Sequence, residues 1–190
     1  HAPRLHALEA INLKQKPGNG LDGCCQEAAD AIRSLCAAPE ADIHFLVGGT
    51  QVNKTAIAAF LRPYEAAVAA ESGHICVHET GAVEQDGHKV LTVPTADGKL
   101  TPSLLQGVLD SHSGEHMVLP RLVYLSNTTE LGTVYSREEL SAISDFCQKN
   151  GLLLYCDGAR LGAAMAAGDT TFADYASLCD AFTIGGTKNG

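Results

Sequence analysis

Leu152-Leu153-Leu154-Tyr155-Cys156-Asp157-Gly158-Ala159-Arg160 is the stretch from which the fold can be read. Five apolar residues in a row, ended by an acid and a glycine, describe a short strand buried on both faces, as in a parallel sheet covered by helices. The residues before it describe a helix. Ser136 with Glu139 makes a capping box, Leu140, Ile143 and Cys147 recur at helical spacing, and Gly151 after Asn150 supplies the stop. Similar apolar runs at 43–47, 75–77, 90–93, 122–125 and 182–184 predict further strands. Thr101-Pro102 opens another helix, with Leu104, Leu105, Val108 and Leu109 on its inner face. Short buried strands alternating with helices imply an α/β fold with a mostly parallel sheet sandwiched by helices. Residues 1–40 read as a mostly helical lead-in with a turn at Pro17-Gly18-Asn19-Gly20, and 41–190 as one α/β unit.

The 190 residues are one domain's worth of chain, 45% hydrophobic and 18% charged, which excludes a disordered tail. Thirteen Lys+Arg against 22 Asp+Glu leave a net charge of −9, which repels phosphate backbones and argues against a nucleic-acid partner. No apolar run approaches the about 18 residues of a membrane helix, so no membrane partner is expected. Seven cysteines without a CxxC, most in apolar surroundings, suggest buried thiols in a reducing cytosol, hence a cytoplasmic protein. No Met stands at the start and the last residues follow directly on a motif, so the chain reads as a fragment cut at both ends.

Metal chemistry finds no support. His112-Ser113-Gly114-Glu115-His116 matches H-x-x-E-H, but Gly114 inside it and Pro120 behind it predict a polar loop. His74 and His78 are four apart on a segment that reads as a strand, where they would lie too far apart to share an ion. His1, His6, His44 and His88 have no partner pattern.

In such sheets ligands collect at the carboxyl ends of the strands. Four loops are expected there: Gly48-Gly49-Thr50, His78-Glu79-Thr80, Asp157-Gly158-Ala159-Arg160, and Gly185-Gly186-Thr187-Lys188-Asn189. The run Gly48-Gly49-Thr50-Gln51-Val52-Asn53 should open a helix, whose free N–H groups and dipole favour an anion such as phosphate. Asp157, after a buried strand, needs a cationic partner. Arg160 could supply it as an internal ion pair; alternatively Asp157 holds a heterocyclic N–H⁺ and leaves Arg160 for an anionic group. Lys188, beyond a buried strand and two glycines, is placed to act as a partly desolvated amine, a good carbonyl nucleophile. A phosphate cradle, a buried acid and a strand-end amine together match what pyridoxal phosphate requires.

The chain resembles the fold-type-I pyridoxal-phosphate enzymes, and within them the L-threonine aldolase or β-eliminating lyase family, most of all its low-specificity threonine aldolase branch. The resemblance rests on Gly48-Gly49-Thr50-Gln51-Val52-Asn53, Gly73-His74-Ile75 with Glu79, Thr129-Glu130-Leu131-Gly132-Thr133-Val134-Tyr135, Asp157-Gly158-Ala159-Arg160-Leu161 and Gly186-Thr187-Lys188-Asn189. It implies the large domain of an aspartate aminotransferase-like fold, without the smaller C-terminal domain. It further implies that Lys188 carries pyridoxal 5'-phosphate covalently and that Asp157 pairs with the ring nitrogen. Gly49 and Thr50 would hold the phosphate and Asn53 would also contact the cofactor, His74 would stack on the ring with Glu79 near it on the substrate side, and Arg160 would take the substrate carboxylate. The implied reaction cleaves the Cα–Cβ bond of threonine-like or allo-threonine-like β-hydroxy amino acids to glycine and an aldehyde, with His74 as candidate base. The implied assembly is a homodimer or homotetramer. Where many aldolases of the family carry a histidine, this chain reads Asn127-Thr128-Thr129-Glu130. A β-eliminating lyase acting on another amino acid and a non-catalytic phosphate-ligand-binding α/β module are the alternatives.

Overall fold

The computed structural model describes the backbone of residues 2–18 and 20–188 and the side chains from residue 5 onward, so Asn19 of the expected turn and Asn189 of the last motif lie outside the described residues. The strands are β1 (Glu65–Ala70), β2 (Val90–Val93), β3 (Leu119–Ser126), β4 (Leu153–Asp157) and β5 (Ala181–Phe182). They form a sheet in the order β2-β1-β3-β4-β5, and all its pairings are parallel. The helices are α1 (Ala2–Ile11), α2 (Gly23–Leu35), α3 (Gly49–Phe60), α4 (His74–Val77), α5 (Ala82–Gln85), α6 (Pro102–Ser111), α7 (Arg137–Asn150), α8 (Leu161–Ala167) and α9 (Phe172–Leu178).

Helices with local punctuation fall where their sequence puts them. Ser136 Oγ accepts from Glu139 N, the Glu139 carboxylate accepts from Ser136 N, and Gly151 closes α7 in the left-handed region at φ +66°. Thr101 caps α6 through Leu104 N, with Pro102 opening the helix and Leu105 buried beneath it. Residues 112–116 follow α6 outside any helix, as the polar loop reading expected.

Two expected strands are corrected. Residues 43–47 form no strand: Phe45 is 49% and Val47 86% exposed, and no sheet hydrogen bonds reach them. Residues 75–77 belong to α4, which Gly73 starts at a tight turn after β1. The strand that takes the central place is Glu65-Ala66-Ala67-Val68-Ala69-Ala70, buried at every position. Alanine favours helices in isolation, so nothing local marks this segment; burial between two layers decides it.

Alternation along the strands gives the sheet two apolar faces. Ala66, Val68, Leu91, Val123, Leu125, Leu154 and Cys156 pack with Leu105, Leu140, Ile143 and Tyr175 from α6, α7 and α9. Ala67, Ala69, Leu122, Tyr124 and Tyr155 pack with Ile57 of α3, Ile75 of α4 and Val83 of α5. By the same alternation Ser126 and Asp157, the last residues of β3 and β4, belong to the α3 face, and the two are register partners. Of the expected buried thiols, Cys36, Cys147 and Cys156 are buried, while Cys24 is exposed. The described side chains of α1 are exposed, Leu5 and Leu8 among them, and α2 buries only Ala29. No helix among the described residues is long and apolar enough to cross a membrane.

Candidate active site

Asp157 ends β4 and is 7% exposed. Its Oδ1 accepts from Ala159 N at 2.9 Å. Its Oδ2 accepts two side-chain donors, Asn53 Nδ2 at 2.9 Å and the Tyr124 hydroxyl at 2.8 Å. Asn53 stands in the second turn of α3, buried at 1% exposure. Its amide nitrogen donates a second hydrogen to Glu79 Oε1 at 2.7 Å, and its oxygen accepts from the Tyr155 hydroxyl at 2.7 Å. The carboxylates of Glu79 and Asp157 can only accept, which orients the Asn53 amide.

Glu79 Oε1 also meets His74 Nδ1 at 2.7 Å, and its Oε2 is buried without a partner. With Glu79 accepting, His74 donates from Nδ1, and Nε2 has no hydrogen-bond partner among the described residues. The segment that delivers Glu79 is strained: Thr80, a β-branched residue, adopts φ +50°. Burial, reinforced by the Asp157 charge, raises the Tyr124 and Tyr155 phenols above their usual range, so both stay donors at neutral pH.

Arg160 does not pair with Asp157. Its Nη2 donates to Glu130 Oε1 at 2.9 Å and to the Thr128 carbonyl at 3.1 Å, and its Nε to Thr128 Oγ1 at 3.3 Å. Ser126 Oγ donates to the same Glu130 oxygen at 2.9 Å. The Tyr124 and Ser126 hydroxyls lie 3.3 Å apart, but each has one proton and a nearer carboxylate to receive it. Two acid clusters therefore stand side by side: Asp157 with Glu79, and Glu130 with Arg160.

Beyond β5 the chain runs against the carboxyl end of β4. Thr183 N donates to Cys156 O at 3.0 Å, Gly185 N to Gly158 O at 3.1 Å, and Gly158 N to Thr183 Oγ1 at 2.8 Å. A Cβ at Gly158 would collide with the Thr183 carbonyl oxygen, and one at Gly185 would sit 2.7 Å from Ala159 Cα. Lys188 follows Gly185 by three residues, a span of about 10 Å at most, and is exposed. At the other end of the site, α3 starts at Gly49 with no side-chain cap and no acid in its first turn, and Gly49 and Thr50 are exposed. Free N–H groups at the start of a 12-residue helix form an anion cradle.

The expected residues divide into four groups, one of which is Lys188 alone: expected as a partly desolvated amine, it is exposed, because it lies beyond the segment that Gly158 and Gly185 hold against β4. His74, Glu79, Asn53 and Asp157 share one hydrogen-bonded cluster; Arg160 borders it with Glu130; Gly49 and Thr50 stand at the cradle, one turn before Asn53. Asn53, expected on the cofactor, has its amide engaged by Tyr155, Glu79 and Asp157. Sequence reasoning missed Tyr124, Tyr155, Ser126 and Glu130. Alternation alone puts Tyr155 on the face of Asp157, two positions on; that Tyr124 pairs with Tyr155, as Ser126 does with Asp157, is visible only in the sheet register. His74 and His78 lie on and just beyond a helix, not a strand, with ring centroids 5.5 Å apart. No group of three or more potential ligands that could hold a metal ion occurs among the described residues.

A parallel sheet with helices on both faces and a buried acid at the carboxyl end of a central strand is the large-domain architecture of the fold-type-I pyridoxal-phosphate-dependent enzymes, and this chain has that fold. Residues 20–190 match the sequence model of the β-eliminating lyase family, and the chain belongs to that family. The low specificity L-threonine aldolase of Pseudomonas sp. (strain NCIMB 10558) is 35% identical over 188 residues, covering 97% of this chain and 54% of that protein. The corresponding Saccharomyces cerevisiae enzyme is 33% identical over 96% of this chain and 48% of its own length. Among solved structures, the threonine aldolase of Leishmania major is 47% identical with a TM-score of 0.95, over 97% of this chain and 54% of that one. The chain thus spans about half the length of the relatives it matches.

Proposed function

We propose that the protein carrying this chain is a pyridoxal-phosphate-dependent carbon–carbon lyase that cleaves L-threonine- or L-allo-threonine-like β-hydroxy amino acids to glycine and an aldehyde. The observation that carries the reading is Asp157, a buried carboxylate at a strand end with no cation against it among the described residues. Such a group calls for a cationic partner, and a protonated pyridine nitrogen supplies one. The uncapped start of α3 suits the phosphate, and the segment held by Gly158 and Gly185 leads to an amine at Lys188. The residues present therefore fit the cofactor. Bound there, pyridoxal phosphate supplies the sink for the electron pair released as the Cα–Cβ bond breaks.

The chain's own residues take the remaining roles. Gly49 and Thr50 hold the phosphate through first-turn N–H groups, Asp157 holds the ring nitrogen, and Lys188 anchors the cofactor. His74 would lie against the cofactor ring and would take the β-hydroxyl proton at Nε2, the nitrogen left free by the Glu79 contact at Nδ1. Glu79 keeps that tautomer and ring orientation. Arg160 offers Nη1, which has no partner among the described residues, to the substrate carboxylate.

Residues 41–190 form the cofactor-binding large domain in this reading, with 1–40 as its lead-in, in a cytoplasmic homodimer or homotetramer. Exposed Leu5, Leu8, Phe45, Leu46 and Val47 support an interface there. The deciding experiment assays the full-length protein with L-threonine and L-allo-threonine for acetaldehyde and glycine. Both products are expected, together with a visible absorbance band that borohydride removes and that Lys188→Ala lacks. Pyruvate as the only product from β-substituted amino acids would overturn the assignment in favour of β-elimination.

A further inference from the structure

We infer that Tyr124 and Asn53 are positioning residues for Asp157: together they hold Oδ2 and leave Oδ1 as the oxygen that meets the cofactor ring nitrogen. The inference rests on the cofactor reading above and adds two residues that act through another.

Oδ2 is saturated. It receives the Tyr124 hydroxyl from β3 at 2.8 Å and the Asn53 amide from α3 at 2.9 Å, on a carboxylate carried by β4. Among the described residues Oδ1 receives only the Ala159 backbone N–H at 2.9 Å, so a lone pair is left for an incoming donor. Neither anchor has a second use for its proton. The one hydroxyl proton of Tyr124 goes to Asp157, and the other amide proton of Asn53 goes to Glu79, while Tyr155 occupies the amide oxygen. Arg160, the nearest cation in sequence, is held by Glu130 and does not compete for Oδ1.

Three elements therefore converge on one oxygen, and the plane of the carboxylate is set before any ligand arrives. Loss of the Tyr124 donor lets the carboxylate rotate, and the contact at Oδ1 loses its geometry while the Asn53–Glu79–His74 contacts stay in place. A merely structural role for Tyr124 predicts a different pattern, in which binding of every ring analogue weakens alike.

The test titrates the cofactor-free full-length protein, by calorimetry, with pyridoxal phosphate and with its carbocyclic analogue in which C–H replaces the ring nitrogen. Wild type is expected to prefer pyridoxal phosphate. Tyr124→Phe, which keeps the ring and removes one oxygen, weakens pyridoxal phosphate about tenfold and leaves the analogue nearly unchanged, since a charged hydrogen bond acts only on the nitrogen ligand. Asn53→Ser, which also releases Glu79 and Tyr155, weakens both ligands but pyridoxal phosphate more, and in an Asp157→Asn background Tyr124→Phe has no further effect. Equal weakening of both ligands, or no weakening of either, overturns the positioning role alone. A wild-type protein that binds neither ligand overturns the cofactor reading and the inference with it. Should Asn53→Ser fail to fold, the Tyr124→Phe and Asp157→Asn cycle decides.

Discussion

Arg160 Nη2 donates to Glu130 Oε1 at 2.9 Å, although Asp157 lies much nearer in the chain. A part-buried guanidinium is thereby balanced by one acid, and a second acid is left without a cation. If Arg160 takes the substrate carboxylate, Glu130 is its competitor. Arg160→Lys replaces a fork with a point charge and is expected to raise KM about tenfold with a smaller change in kcat. Glu130→Gln keeps an acceptor but removes the competing charge, so KM should fall below wild type. Steady-state kinetics of both variants check this; an unchanged KM in Arg160→Lys would remove Arg160 from the substrate.

The contact between Gly158 and Thr183 should respond to a single methyl group. Gly158→Ala drives a Cβ into the Thr183 carbonyl and is expected to cost about 2–4 kcal/mol, as overpacking against backbone does. Gly186→Ala is the control: its Cβ would meet nothing within 4 Å, and surface changes of that kind stay within about 0.5 kcal/mol. Urea unfolding midpoints compare the two.

Thr80 at φ +50° stores strain on an exposed turn beside Glu79. Asparagine tolerates that conformation far better than a β-branched residue. Thr80→Asn should therefore raise unfolding stability by about 1 kcal/mol, measured by the same urea titration.

Alkaline pH should unfold the protein. Burial pushes Cys76 up to about 11, and Cys147 and Tyr175 up to about 12, from ordinary values of 9.0 for the thiols and 10.0 for the phenol. Each group keeps its proton when folded and loses it when unfolded, so its contribution is complete below about pH 9 and falls as pH rises toward the folded value. Stability is expected to be flat from neutral pH to about 8.5 and then to decline by about 1.4 kcal/mol per pH unit for each titrating group. Tyr175→Phe should make the decline shallower above pH 10. A midpoint that rises between pH 9 and 11 would contradict the burial of these groups.

What could be read from the amino-acid order follows from how local each signal is. The ends of α7 were legible because Ser136, Glu139 and Gly151 satisfy the helix's own terminal groups. The strand β1 was not, because six small residues gain strand geometry only from neighbours far away in sequence. Residues 43–47 failed in the opposite sense: Phe45 and Val47 look like core but lie exposed. In the site, Asp157 stood out as an acid after an apolar run, while Glu79 gained a role only through the family resemblance. Tyr124 and Tyr155 did not, since a tyrosine inside a buried strand reads as packing until its hydroxyl is seen to reach Asp157 and Asn53.

The alanine strand at the middle of the sheet has one more consequence. Ala67 and Ala69 share a layer with Ile57 of α3, the helix whose Asn53 reaches Asp157 and Glu79. Side chains no thicker than a methyl keep the floor of that layer thin, leaving its depth to the Tyr124 and Tyr155 rings whose hydroxyls reach Asp157 and Asn53. The smallest residues of the sheet thus leave room for the largest, and it is the largest that carry the polar contacts to the acid.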